Sequence, residues 1–529
     1  MAETHCRPSR LMGKSTSPRS ADKARQGLGK NEEPPRKRPP GASARHHQTT
    51  LATATAYHQS RHHPPNHGGQ CRHGRYNRAR HDATDPRCAK TSRPMTFPAF
   101  IPRLLILPVM AFALLIQMAA ATAPPPNVVF IISDDHHWRD YGFMGHPQVQ
   151  TPHLDRLASQ SVVFRRGYVP SSLCCPSLAS LISGLYPHQS GITSNDPPRP
   201  PGGKHPAPDD PAFQASREPY NVLMDQLPTL PRLLSQRGYV SLQTGKWWQG
   251  DFTRGGFTHG MTRGSRHGDE GLKIGRETMQ PLWDFMNEAQ HDQKPFFVWY
   301  APLLPHDPHT PPERLLAKYR DLAPSLHVAR YWAMIEWFDE TCGALLQFLD
   351  DRNLADNTLV VYAADNGWIQ DPGSPRYAPR SKQSQYDGGL RTPIMVRWPA
   401  RAQPTDSPHL ASSIDLAPTV LHAAGVSVPP TLQGINLLDA KAVASRRAIY
   451  GAVFTHDSQD ITRPAASVRW RWIMEGHRKL IIPNPAREPA AVPELYDMTL
   501  DDEETRNLAA DRPEEVKALT RRLDDWWTP

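Results

Sequence analysis

From Asn127 onward, short continuous apolar runs alternate with amphipathic stretches. The first run, "NVVFIIS", ends in Asp134-Asp135. An unbroken apolar run closed by acids predicts a strand buried on both faces of a parallel sheet. Thr151-Pro152 predicts a helix start, with Thr as N-cap and Pro in the first turn. "SVVF", "YVSLQTGKW", "PFFVWYA", "TLVVYAADNG" and "PIMVRWP" predict further strands. "TLPRLLSQRG", closed by Gly238, and "IDLAPTVLHAAG" predict helices. Between Ala329 and Leu349, the residues Ile335, Phe338, Cys342, Leu345, Leu346 and Leu349 keep helical spacing. Such alternation predicts an α/β fold wound around a mostly parallel central sheet flanked by helices. After about residue 445 the texture changes. "AIYGAVF", "RKLIIP" and a final helix "PEEVKALTRRLDDWW" predict a small C-terminal α+β subdomain, giving a main domain at 124–445 and an appendage at 446–529. The Pro/Gly/Asp-rich insert 195–219 is expected as a long surface loop.

Composition changes this picture mainly at the N-terminus. The 529 residues carry a net charge of +9. Through Pro94 there are 19 Lys+Arg against 6 Asp+Glu, whereas from Pro124 onward there are 41 against 46. The basic character therefore belongs to the leader, and the mildly acidic body argues against a nucleic-acid partner. Residues 1–94 lack apolar periodicity, so they are expected as a disordered basic leader. Met95, the lone Arg103, the apolar run Leu104–Met118 and Ala121-Thr122-Ala123 have the layout of a secretory signal peptide, 95–123. Such a signal belongs at an N-terminus, so Met95 is the expected start and 1–94 an annotation extension. The expected product is exported, periplasmic or secreted, begins near Pro124 and has no stable membrane span.

The body holds three cysteines, Cys174, Cys175 and Cys342. An odd count and an adjacent pair argue against a disulfide framework. Cys342 lies in the helical pattern and is expected as a small core residue.

The candidate chemistry sits where strands end. Open α/β sheets build sites at the carboxyl ends of their strands. Asp134-Asp135 and Asp365-Asn366 both stand there, and clustered oxygen ligands suit a hard cation such as Ca²⁺ or Mg²⁺. Taken singly, each pair also suits a turn or a helix cap. Pro176 suits a first helical position, which places Cys174 and Cys175 at a helix N-terminus. The positive end of the helix would favour an anion there and lower a thiol pKa.

"CCPSLASLISG", Cys174 to Gly184, resembles the signature of the formylglycine-dependent sulfatases, C-x-P-S-R-x-x-x-[LT]-[ST]-G. Further matches follow in family order: "PNVVFIISDD", "TGKWW", "LLPHDPH", "AADNG", "SKQSQYDGGLRTP", "IDLAPTVLHAAG" and "ELYDMTLDDEETRNLA". Together they span roughly residues 127 to 510. The resemblance implies an alkaline-phosphatase-like fold, with 124–445 as the catalytic domain. It also implies hydrolysis of a sulfate ester on a small molecule or glycan. Cys174 would be the residue that a maturation enzyme oxidises to formylglycine, whose hydrate supplies the nucleophile. Asp134, Asp135, Asp365 and Asn366, with the Cys174 position, would hold a divalent metal, Ca²⁺ first and Mg²⁺ as the alternative. Lys246 and Lys382 would bind the sulfate, and His306 would protonate the leaving alcohol, with His309 as a neighbouring rival.

Two positions depart from the pattern. Leu178 stands where the family has arginine, and Trp248 stands where it has histidine. The stretch "GFTHGMTRGSRHGDEG" and its neighbours offer Arg254, Arg263, Arg266, His259 and His267 as replacements. Trp247 and Trp248 are alternatively expected to form an apolar or carbohydrate-stacking wall. Two other readings follow from the departures: a phosphate or phosphonate ester hydrolase of the same superfamily, and a catalytically impaired, metal-retaining binding protein.

Overall fold

A computed structural model describes residues 124–529. The basic leader and the signal-peptide reading at 95–123 lie outside the described residues. Eight strands form the main sheet: β1 (Asn127–Ser133), β2 (Val162–Tyr168), β3 (Val240–Gly245), β4 (His259–Gly260), β5 (Phe296–Ala301), β6 (Thr358–Ala364), β7 (Ile394–Arg397) and β8 (Thr405–Ser412). Their order is β4-β3-β5-β1-β6-β7-β2-β8. Only β7 runs antiparallel to its neighbours, β6 and β2. The sheet is thus mostly parallel, as the apolar runs imply.

Alternation along β1 explains why it is central. Val128, Phe130 and Ile132 face one core, shared with Leu178, Leu181 and Ile182 of the helix Cys174–Ser183. Val129 and Ile131 face the other, shared with Met334, Phe338 and Leu345 of the helix Leu326–Asp351. Successive side chains of a strand point to opposite faces, so a strand covered by helices on both sides must be apolar throughout. Cys342 is fully buried in the second core, as its helical spacing implies.

The insert corrects the sequence expectation. Only its first part is loop, and a helix occupies Pro211–Gln226. Asp210 caps it by accepting from the backbone N–H of Ala212 at 2.8 Å, and Pro211 stands in the first turn. Pro219 sits inside this helix, and Phe213, Arg217, Tyr220 and Met224 form its buried face. The density of prolines masked the helical period, because the helix tolerates an internal proline when tertiary packing holds it.

A second sheet contains β9 (Ala448–Phe454), β10 (Val468–Glu475), β11 (Arg478–Pro483) and β12 (Glu494–Asp497), antiparallel in the order β12-β11-β10-β9. One face meets Leu519 and Leu523 of the helix Pro513–Trp526. The other packs Trp472, Met474 and Ile481 on Tyr168 and Leu390 of the main sheet's surround. Among the described residues no helix is long and apolar enough to cross a membrane.

Candidate active site

Register brings the strand ends together. Ser133 of β1 pairs with Ala364 of β6, so Asp134 and Asp135 emerge level with Asp365 and Asn366. Gly245 of β3 pairs with Ala301 of β5, so Lys246 emerges beside them. The turn at Gly245 has φ 74°, and a Cβ there would lie 1.9 Å from the carbonyl oxygen of Ala301. Only glycine lets the chain turn Lys246 into the crevice at this point.

Interstrand bonds fix the acids. The backbone N–H groups of Asp135 and Asn366 both donate to Asp365 Oδ1, at 3.0 and 2.7 Å. Lys246 Nζ donates to Asp134 Oδ1 at 2.6 Å, and Lys382 Nζ donates to Asp135 Oδ2 at 2.6 Å. Asn366 Nδ2 donates to Asp135 Oδ1 at 2.6 Å. Beneath them, Tyr331 Oη lies 3.2 Å from the carbonyl oxygens of both Asp135 and Trp368, tying the β1 and β6 loops to the long helix. Burial opposes the charge of both lysines, and the carboxylates around them more than offset it, so both are held well inside their cationic range. Burial lifts the Asp365 carboxyl well above its ordinary value, and nearby Asp134 adds to the rise. Burial alone would lift Asp135 too, but Lys382, His306 and Lys246 hold it low.

Cys174 opens its helix, with Cys175 second and Pro176 third. Pro176 is thus two positions further in than expected, where its missing N–H still costs no helical bond. Cys174 Sγ lies 4.0 Å from Asp135 Oδ1. Burial pushes the Cys174 thiol far above its ordinary value, against the pull of Lys246 and Lys382. The pull of the helix terminus and the two lysines does not offset burial here. Cys175 faces away from the acids. Its Sγ takes a bond from Gln249 Nε2 at 3.0 Å, and burial raises its thiol to about 11.

His306 Nε2 lies 3.3 Å from Asp135 Oδ2, and its Nδ1 lies 3.0 Å from Asp307 Oδ1. Arg276 steadies this loop by donating to the carbonyl oxygens of Leu303 and His306, at 2.8 and 3.0 Å. His309 instead packs on Tyr331 and Trp368, and burial holds its ring down to about 4. Of the two histidines, only His306 touches the acid cluster. A cavity of about 660 Å³ opens above, lined by Cys174, His267, His306, Lys382, Trp368 and Tyr377 among others.

The structure thus gathers every expected site residue: Asp134, Asp135, Cys174, Lys246, His306, Asp365, Asn366 and Lys382. Other expectations are corrected. Trp247 and Trp248 are 1% and 2% exposed and form no open wall. Trp247 packs on Phe257 and Trp299, and Trp248 lies under the Arg266 guanidinium and against His267. Arg254 is spent on Glu218 and Asp225, and exposed His259 sits on edge strand β4. Arg266 and His267 reach the cavity. Asn195 was not foreseen: its Oδ1 takes the backbone N–H of Cys175 at 3.0 Å, so the insert caps the Cys174 helix. Leu178, where the family pattern has arginine, is buried in the apolar core.

The Sulfatase family model matches residues 126–426. The chain belongs to the sulfatase family. A second family model, N-sulphoglucosamine sulphohydrolase, C-terminal, matches residues 380–526. N-acetylgalactosamine-6-sulfatase of Canis lupus familiaris is 30% identical over 368 residues, covering 61% of this chain and 67% of that protein. Arylsulfatase A of Bos taurus is 30% identical over 371 residues, covering 60% and 68%. Among solved structures, BT4656 in complex with its substrate D-glucosamine-2-N,6-O-disulfate has a TM-score of 0.59 at 20% identity, covering 76% of this chain and 97% of that one. The chain is accordingly a sulfatase enzyme of alkaline-phosphatase-like fold.

Sulfatase membership implies a divalent metal, and the donor set fits one. Among the described residues, Asp134 Oδ2, Asp365 Oδ2 and Asn366 Oδ1 are buried acceptors without a hydrogen-bond partner. A buried acceptor left unpaired costs about 1–3 kcal/mol, so three in one crevice call for a cation. All three are hard oxygens, the donor type that Ca²⁺ and Mg²⁺ take. Asp134, Asp135, Cys174 and His306 also place one ligating atom each within 4.8 Å of one another.

Proposed function

We propose that this sulfatase releases inorganic sulfate from a sulfated glycan, with formylglycine at Cys174 and Ca²⁺ in the acid cluster. The observation that carries the reading is the set of three orphaned oxygens next to Cys174, with a lysine on either side. Asp134, Asp135, Asp365 and Asn366 would hold the ion, which supplies Lewis-acid polarisation of sulfate oxygens and a lowered pKa for a nearby hydroxyl. Formylglycine would supply a hydroxyl nucleophile in place of the buried thiol. Lys246 and Lys382 fix the sulfate and offset charge that grows on its oxygens. His306, reached from the cavity, delivers the proton that the leaving alcohol needs. Three carboxylates and two ammonium groups leave one net negative charge, and a divalent ion converts it to one net positive charge. That matches the single charge of a sulfate monoester better than the double charge of a phosphate monoester. The glycan rests on two of these proteins, the N-acetylgalactosamine-6-sulfatase and the D-glucosamine-2-N,6-O-disulfate complex, whose names specify amino-sugar sulfates. In this reading residues 124–445 are the catalytic domain and 446–529 the subdomain, and the chain is exported through the 95–123 signal and served by a formylglycine-generating enzyme.

The test is turnover of 4-nitrophenyl sulfate against the phosphate and phenylphosphonate analogues, with mass spectrometry of the Cys174 peptide on the same sample. Preferred sulfate turnover with an aldehyde at Cys174 is expected. Preferred phosphate turnover, or sulfate turnover by an unmodified thiol, refutes the reading.

A further inference from the structure

Resting on that reading, we propose that His267 is a catalytic residue: a neutral imidazole that donates its Nδ1–H to a sulfate oxygen above Cys174, with Arg266 and Asp196 as its positioning residues. The ring lines the same cavity as Cys174, His306 and Lys382. Its centroid is 5.9 Å from that of His306 and 4.4 Å from that of Trp248.

The tautomer follows from the partner. Arg266 Nη1 lies 2.7 Å from His267 Nε2. A guanidinium can only donate, so Nε2 accepts, and the ring proton is on Nδ1. Nδ1 has no hydrogen-bond partner among the described residues, so a ring that lines the cavity keeps one open donor. Arg266 is itself locked. Its Nε and Nη2 both donate to the Asp196 carboxylate at 2.9 Å. Asp196 also takes Arg217 Nη1 at 3.2 Å, and its backbone is pinned to His456 and Ser458. This is the logic of a functional group oriented by a second and held by a third.

The backbone is built around that placement. His267, Gly268 and Asp269 have φ values of 73°, 122° and 36° in succession. Positive φ at two non-glycine residues is a strained arrangement of the kind that clusters at functional sites. A Cβ on Gly268 would lie 2.6 Å from the carbonyl oxygen of Gly245, and one on Gly271 would lie 2.5 Å from it. The His267 carbonyl also accepts the backbone N–H of Trp247 at 3.0 Å. The loop therefore rests directly on the turn that aims Lys246. Burial first, then Arg266 and Lys246, push the ring well below its ordinary value, in the same direction as the Arg266 contact. A neutral donor binds the anion without adding a third cation beside the two lysines.

The experiment compares His267→Ala and His267→Asn, since the Asn amide can place a donor near Nδ1. Removing one donor from an anion site predicts a loss of about 100-fold in kcat/KM on 4-nitrophenyl sulfate for His267→Ala, with recovery to about a tenth of wild type in His267→Asn. Melting temperature and metal content should stay at wild-type values. In parallel, calorimetry with inorganic sulfate on the metal-loaded Cys174→Ser protein should show about tenfold weaker binding once His267→Ala is added. If wild type fails to turn over any aryl sulfate, the sulfatase chemistry proposed above falls, and the sulfate-binding arm still decides His267. Equal sulfate affinity, or His267→Ala within threefold of wild type in kcat/KM, overturns the inference.

Discussion

Among the described residues there are two buried lysine–carboxylate clusters, and they differ in one respect. In the C-terminal cluster, fully buried Lys479 of β11 donates to Asp387 Oδ1 at 2.8 Å and Glu504 Oε1 at 2.7 Å. The remaining oxygens are also filled: Asp387 Oδ2 takes the Tyr168 hydroxyl at 2.9 Å, and Glu504 Oε2 takes the Asp387 backbone N–H at 2.7 Å. In the crevice cluster, Lys246 and Lys382 fill only part of the oxygen set, and three acceptors stay open. A closed network ties elements together, here the Lys382 loop, the small sheet and the "DDEETRN" loop. An open one is held in place by the fold and waits for a ligand. Buried charge alone therefore does not mark a reactive centre, whereas three unpaired buried oxygens gathered in one crevice do.

Substitutions can break this contrast. The largest effect is expected from Cys174→Ala, with sulfate ester turnover falling by about 10⁴-fold or more while the urea unfolding midpoint stays put. Lys479→Met should do the reverse. It strands two buried carboxylates and costs about 3–5 kcal/mol of stability in urea titrations, with kcat of the still-folded fraction within about threefold of wild type. Asp365→Asn separates the clusters by sign. In protein stripped by a chelator it removes a buried like charge beside Asp134 and should raise stability by about 2 kcal/mol, while activity is lost on adding metal back. Asp387→Asn, by contrast, should lower stability.

The smallest expected effect concerns pH. His188 stacks on Trp527 and meets Trp526 edge-on, and burial holds its ring down to about 4. Between the ordinary histidine value and about pH 4, the unfolded chain takes up a proton that the folded ring refuses. Stability therefore falls as pH drops through that window, by about 1 kcal/mol for a ring that is partly solvated. His188→Phe should flatten the acid limb of a melting-temperature profile.

The legible part of the molecule is its periodic part. β1, β5 and β6 could be read because both their faces are covered, so their sequences are unbroken apolar runs that stop at the catalytic end. Cys174, Lys246, His306 and Lys382 were readable only through ordered family motifs, since singly each resembles a surface or loop residue. β8 was missed because an edge strand containing Pro408 and His409 has no apolar run to show. Asn195, Arg217 and Arg266 were invisible as partners because the insert reaches the site through irregular backbone, where no spacing links residue 196 to residue 266. The closed Lys479 network is hidden for the same reason, although "DDEETRN" belongs to one of the family motifs.

The most direct test of the central claim is calcium titration of chelator-treated protein by calorimetry, wild type beside Asp365→Ala. One bound Ca²⁺ per wild-type chain, lost in Asp365→Ala, is the predicted result. Absence of binding in wild type, or equal binding in both, would contradict the claim that the three open oxygens form the metal seat of this sulfatase.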